Sequence, residues 1–149
     1  MKYLIDTNIV LVYLRDEKTK AYIEANYSPF HASNIPIVSV VTLGEIESIG
    51  LRNKWGIKRI QAVSQLFQKC VIADINSRDN IRRYGEIDAY SQAKLPHSPT
   101  GMSSRNMGKN DLWIAATAST IGAKLLTMDK DFDHLNGVYL EVVWVELVK

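Results

Sequence analysis

The sequence predicts an α/β fold with a mainly parallel sheet of about four to five strands, flanked by helices on both faces. Three observations predict it. Runs that are apolar almost throughout, "KYLI" at 2–5, "IPIVSVV" at 35–41 and "AKLLT" at 123–127, lack the polar alternation of a half-solvated strand and suit a sheet buried on both sides. Segments of helical period separate them, which is the βαβ alternation of parallel sheets. The 149 residues are enough to bury a real core and suit one domain, 1–149.

In chain order, Lys2 to Ile5 is the first strand and stops at Asp6. "TNIVLVYLRDEK" places Ile9, Val12 and Tyr13 on one helical stripe, with Thr7 or Asn8 able to cap it. A second helix is expected over 19–26, stopped by Ser28-Pro29. Ile35 to Val41, β-branched and bounded by Pro36, is the second strand. "TLGEIESIGLRN" turns helical, with Leu43, Ile46, Ile49 and Gly50 on one side. Another amphipathic helix is expected over 55–69 through Ile57, Ile60, Val63, Leu66 and Phe67. "CVIADI" at 70–75 is the third strand, and 77–93 a helix opened by "SRDN". After Leu95, "PHSPTGMSSRNMGKN" is rich in Pro, Gly and Ser and reads as loop. Asn110 is the expected cap of the helix "DLWIAATASTIG", which Gly122 ends. "AKLLT" is the fourth strand and "VYLEVVWVEL", 138–147, the last.

Composition narrows the class without naming a function. A hydrophobic fraction of 46% with 23% charged residues is that of a soluble globular chain, and the net charge is only +2. The distribution of charge therefore carries more information than its sum. Cys70 is the single cysteine, so an internal disulfide is excluded, and its place before an apolar run reads as a buried structural thiol. Asp6 interrupts the N-terminal apolar run too early for a signal peptide, and no stretch approaches the ~20 apolar residues of a membrane span. A cytoplasmic protein is expected.

In open α/β sheets, sites form at the carboxyl ends of the strands. The polar residues just after each apolar run are consistently acids. Asp6 closes the first strand, Glu45 lies on the first helical turns after the second, and Asp129 follows the fourth with Asp131 two residues on. Asp111 opens the helix leading into the fourth strand. Gathered anions raise each other's pKa unless a cation neutralises them. Oxygen ligands without His or Cys partners suit Mg²⁺ or Mn²⁺ rather than zinc.

Each acid taken alone has a plainer reading. Asp6 suits a helix cap, Asp111 a partner of the helix dipole, and Asp129 and Asp131 a surface turn. Glu47 lies about 200° from Glu45 around the helix and reads as solvated, as do Asp74 and Asp133. The conjunction of acids after several strands is what points to a metal site.

Four fragments, "YLIDTNIVL", "SVVTLGEIESIG", "GKNDLWIAATA" and "KLLTMDKDF", occur in an order that resembles the PIN-domain nucleases, and most closely the toxin ribonucleases of the VapC type. They span residues 3 to 132. The resemblance implies a PIN-like three-layer sandwich, catalytic and metal-binding acids at Asp6, Glu45, Asp111 and Asp129, and Asp131 as a further or substitute ligand. It also implies Thr7, Asn8 and Thr127 as supporting polar residues. The implied activity is Mg²⁺- or Mn²⁺-dependent hydrolysis of RNA phosphodiester bonds, leaving a 5′-phosphate and a 3′-hydroxyl. Implied partners are a cognate antitoxin protein, often with a tail that offers an Arg to the acids, and a second copy in a homodimer.

An acidic site that takes a polyanion needs cations around it. From Lys94 through Asn110 the chain holds Lys94, Arg105 and Lys109 and no acid, so this flexible basic loop is the expected phosphate-holding element. Arg52, Lys54, Lys58 and Arg59 read as an ordinary exposed helix face, and Trp113 as core. Tyr13, Tyr22, Ile23 and Tyr27 on the early helices offer apolar surface for a protein partner. His31, His97 and His134 have no Ser or Cys companion in a recognisable arrangement, so no covalent nucleophile is expected. Two rivals remain at this level. One is a non-catalytic RNA- or protein-binding module on this fold, and the other a phosphatase-like enzyme, which "DTNIV" disfavours because it lacks the second Asp of the haloacid-dehalogenase pattern.

Overall fold

The structure is a computed structural model describing residues 1–149. Its five strands, β1 (Lys2–Ile5), β2 (Ile35–Ser39), β3 (Val71–Ala73), β4 (Lys124–Thr127) and β5 (Val142–Trp144), form one sheet in the order β3-β2-β1-β4-β5. Every pairing is parallel, with Leu4 opposite both Ile37 and Leu125, and Leu125 opposite Val142. Six α-helices connect them: α1 (Thr7–Arg15), α2 (Glu17–Asn26), α3 (Val40–Arg52), α4 (Ile57–Gln68), α5 (Arg78–Ser91) and α6 (Lys109–Ile121).

Neighbouring residues of a strand point to opposite faces, so each apolar pair in the central strands feeds two cores. Leu4 and Leu125 face a core made with Ile87 and Tyr90 of α5, Leu112 and Ala116 of α6, and Phe132. Ile5 and Leu126 face the other, with Ile9, Val10 and Val12 of α1, Ile23 of α2 and Ile46 of α3. Leu125, Leu126 and Ile9 are fully buried, each worth about 1.5–3 kcal/mol relative to exposure. Two helical layers around one parallel sheet are the three-layer sandwich that the sequence predicts. None of the helices is long and apolar enough to cross a membrane.

Several element ends differ from the expected ones. The second strand stops at Ser39 rather than Val41, because the Ser39 hydroxyl accepts the Val41 N–H at 3.0 Å and starts α3 there. Asp6, not Thr7 or Asn8, caps α1, and Asp16 caps α2 through Thr19 at 3.1 Å, so α2 begins before Thr19. Asn110 does not cap α6: the helix starts after Gly108, and Asn110 is exposed in its first turn. Asp111 thereby falls on the third helical position, where the exposed N–H groups of the helix end favour an anion. Gly122, left-handed at φ +67, does end α6.

The third and fifth strands are shorter than their apolar runs. Both lie at sheet edges, and on β3 Val71 and Ile72 are 56% and 53% exposed. Cys70 is half-buried rather than buried; its thiol donates to the Leu66 carbonyl at 3.5 Å, and burial pushes its pKa to about 11. That keeps it a protonated, unreactive thiol.

Candidate metal centre

Strands β1 and β4 are neighbours at the centre of the sheet, where the chain order reverses direction across it. The crevice beyond their carboxyl ends is the place this architecture offers for a site. Asp6 leaves β1 there. Its backbone N–H still donates to Leu126, while its side chain turns to cap α1. One carboxylate oxygen accepts the Thr7 N–H at 2.8 Å, and the other accepts the Thr127 hydroxyl at 2.7 Å. Asn8 approaches the second oxygen at 3.4 Å, and its own carbonyl accepts the Met128 N–H at 3.2 Å. Asp6 is consequently only 5% exposed.

Thr127, fully buried at the end of β4, joins the two strands chemically. Its hydroxyl donates to Asp6 and accepts the Asp129 N–H at 3.0 Å. Asp129 in turn accepts the Asp131 N–H at 2.9 Å and opens a 3-10 turn over Lys130–Leu135, which Phe132 and Leu135 anchor in the core. Glu45, one helical turn into α3, reaches across to accept the Thr7 hydroxyl at 2.8 Å, and that hydroxyl lies 3.1 Å from Thr42. Thr127→Val should lower stability by about 1–3 kcal/mol in urea denaturation, because it leaves the Asp129 N–H and a buried carboxylate oxygen short of a partner.

Asp111, Asp129 and Asp131 meet most closely, each offering an oxygen within 4.8 Å of the others. Asp6 and Glu45 adjoin this trio and act on it electrostatically. Burial, opposed by the Thr127 and Thr7 bonds and reinforced by Glu45 and Asp129, raises Asp6 to about 6. Burial first, then the charges of Asp6, Asp129, Glu45 and Asp131, raises Asp111 to about 7. No salt bridge relieves this crowding: the one ion pair of the chain is Lys124 with Glu141. Five carboxylates without a basic partner, all hard oxygen donors, fit a divalent cation such as Mg²⁺ or Mn²⁺.

None of the expected basic residues pairs with the cluster, and the Arg105 guanidinium lies instead 3.5 Å from the His134 ring. Lys94, Arg105 and Lys109 are exposed, Lys109 two positions before Asp111. The segment 95–108 carries no helix or strand, as expected, but it is tied down at several points. The Arg105 N–H donates to Ser91 at 2.7 Å, Ser98 bonds the Tyr90 carbonyl, and the His97 ring stacks on Tyr90 at 5.3 Å. Contrary to expectation, His134 has a serine companion: its Nε2 lies 2.7 Å from the Ser91 hydroxyl. Ser91 is fully buried and also touches the Met107 sulfur, so the pair fastens the loop and cannot attack a substrate. No spacing signal joins positions 43 residues apart, and Thr42 likewise shows its role only through its contact with Thr7.

The early helices offer less apolar surface than their sequence suggests. Ile23 is fully buried and the Tyr13 hydroxyl is bound to Glu24, which leaves Tyr22 as the exposed member of the early-helix group. An apolar groove of about 580 Å³ lies between α3 and α4, lined by Ile46, Leu51, Trp55, Ile60, Phe67 and Ile72.

The family model of the PIN domain matches residues 3–138. The chain belongs to the PIN domain family. This PIN domain is similar in structure to a chain of VapBC2 from Rickettsia felis bound to a promoter DNA fragment, at 20% identity and a TM-score of 0.78, covering 98% of this chain and 100% of that one. It is similar to a chain of VapBC-1 from nontypeable Haemophilus influenzae, at 20% identity and a TM-score of 0.73, over 97% and 98% of the two chains. A chain of a toxin-antitoxin complex from Klebsiella pneumoniae matches at 18% identity and a TM-score of 0.68, over 98% and 99%. At these identities the likeness is one of fold. Comparison with curated proteins gives no match.

Proposed function

We propose that this PIN domain is a Mg²⁺- or Mn²⁺-dependent endoribonuclease that acts as the toxin of a toxin-antitoxin pair. PIN domains are generally nucleases, and the observation that carries the reading is the convergence of Asp111, Asp129 and Asp131 within 4.8 Å beside Asp6 and Glu45, with no cation paired to any of them. A bound divalent ion supplies Lewis-acid stabilisation of phosphate oxygens and lowers the pKa of water.

The chain's own residues have separate parts in this reading. Asp6, Asp111 and Asp129 hold the ion, with Asp131 as a further ligand, and Glu45 completes the acid set and orients the attacking water. Thr7 fixes Glu45, while Asn8 and Thr127 fix Asp6 and the Asp129 turn. Lys94, Arg105 and Lys109 hold RNA phosphates on the approach to Asp111. For the protein partner, the support is the groove between α3 and α4, whose exposed Leu51, Ile60 and Ile72 suit the apolar side of an antitoxin segment. Homodimerisation and a cytoplasmic location belong to the same reading.

The test is cleavage of cellular RNA by the purified chain with Mg²⁺ or Mn²⁺ and with a chelator, mapping new 5′ ends. Metal-dependent ends bearing 5′-phosphate are expected. RNA binding without cleavage, under every divalent ion tried, contradicts the enzyme and favours a binding module.

A further inference from the structure

The edge strand β5 ends beside the acids in an exposed aromatic residue that the nuclease reading leaves unused. Trp144 stands opposite Thr127 in the β4–β5 register and is 36% exposed. Its indole N–H donates to the Met128 carbonyl at 3.0 Å, the residue immediately before Asp129, so the ring is held in one orientation. The ammonium of Lys130 lies over the ring, 4.3 Å from its centroid. Lys130 is flanked by Asp129 and Asp131 yet pairs with neither, and it is exposed. The indole holds it beside the acid cluster with its charge uncommitted.

We propose that Trp144 and Lys130 form a nucleotide subsite at the edge of the acid cluster, Trp144 stacking on one base of a single-stranded RNA and Lys130 taking an adjoining phosphate. The proposal rests on the nuclease reading for its ligand. The indole is bonded to the residue before Asp129, which sets its half-open π-face at the edge of the site where the nuclease reading puts the scissile phosphate. A cation over an exposed ring contributes roughly 2- to 5-fold to an equilibrium. Stacking of a base contributes roughly 5- to 150-fold per base, so a base displaces the ammonium from the ring face. The freed Lys130 then has a phosphate within reach in place of the indole. Any base has a π-face, so this subsite favours unpaired RNA over duplex without choosing a sequence.

The test is an affinity cycle in the full chain carrying Asp111→Asn with Mg²⁺ present, using a short single-stranded oligoribonucleotide and a set with one abasic ribose moved along it. Trp144→Leu should weaken binding of the intact oligomer about ten-fold, and Trp144→Phe should restore most of it. At one abasic position the Trp144→Leu loss should vanish, which a merely structural role of Trp144 does not produce. Lys130→Ala should make the dependence of log affinity on log salt shallower by about one. Equal binding by the parent and Trp144→Leu, or abasic penalties that are the same in both at every position, overturns the subsite. RNA cleavage by the unmutated chain is scored separately: its absence overturns the nuclease reading, while the abasic cycle still decides the stacking.

Discussion

Asp111→Asn is expected to lower metal-dependent RNA cleavage by about a thousand-fold and, in the metal-free protein at pH 8, to raise stability. The two effects share one cause. Asp111 sits within 4.8 Å of Asp129 and Asp131 and feels Asp6 and Glu45 as well, so its charge is held at a disadvantage in the folded chain. The amide keeps the side-chain shape and removes that charge. It thereby relieves repulsion and desolvation, but under the proposed function it would also withdraw a ligand from an ion whose contribution to phosphodiester hydrolysis is several kcal/mol, each 1.36 of which is tenfold in rate. Single-turnover cleavage and thermal melting measure the two signs. An Asp111→Asn protein that melts well below the parent, as a core substitution does, is the outcome that contradicts this account. Opposite signs mark an acid kept for chemistry at the expense of stability.

The metal-free protein should lose stability as pH rises from about 4 to about 8, and a divalent ion should reverse the loss. Asp6 and Asp111 are raised to about 6 and about 7, above the usual carboxylate range that they have in the unfolded chain. A raised folded pKa means that the folded state binds protons the unfolded state has already released. The stabilisation is therefore fully present below about pH 4 and is lost as pH climbs through 6 and 7. Over that window the acid cluster should cost on the order of a few kcal/mol, partly masked by carboxylates elsewhere that titrate in the opposite sense. Mg²⁺ or Mn²⁺ should raise the melting temperature at pH 8 and do little at pH 5, where protons compete for the same oxygens. A melting temperature insensitive to these ions at pH 8, alongside intact folding, removes the cation from the site. Asp6→Asn combined with Asp111→Asn should flatten both the pH and the metal response.

Several boundaries show where sequence reasoning stops. The apolar run 35–41 has no internal mark separating its strand from its helix; Ser39 sets it by turning its hydroxyl to the Val41 N–H. Asn110 is as good a cap by residue type as any, yet α6 starts after Gly108, whose extended backbone leads in and whose carbonyl accepts the Leu112 N–H at 3.0 Å with no side-chain cap at all. "CVIADI" reads as an ordinary buried run, but its edge position leaves Val71 and Ile72 exposed. Pattern encodes which residues are apolar, whereas burial depends on what the rest of the chain brings to cover them.

The sequence by itself determined the parallel sheet and its two helical layers, because apolar pairs such as Leu4-Ile5 and Leu125-Leu126 must be buried on both faces. It also determined that acids follow the first and fourth strands. Only the tertiary structure decided which of these acids meet. Asp111 and Asp129 are joined by the return of α6 into β4 beside β1, and Thr127 bonds to Asp6 across 121 residues of chain. Local propensity acts over a few residues, while the charge crowding that lifts Asp6 and Asp111 arises between side chains brought together by strand order. For that reason the residue types were legible in one dimension and their electrostatics in three.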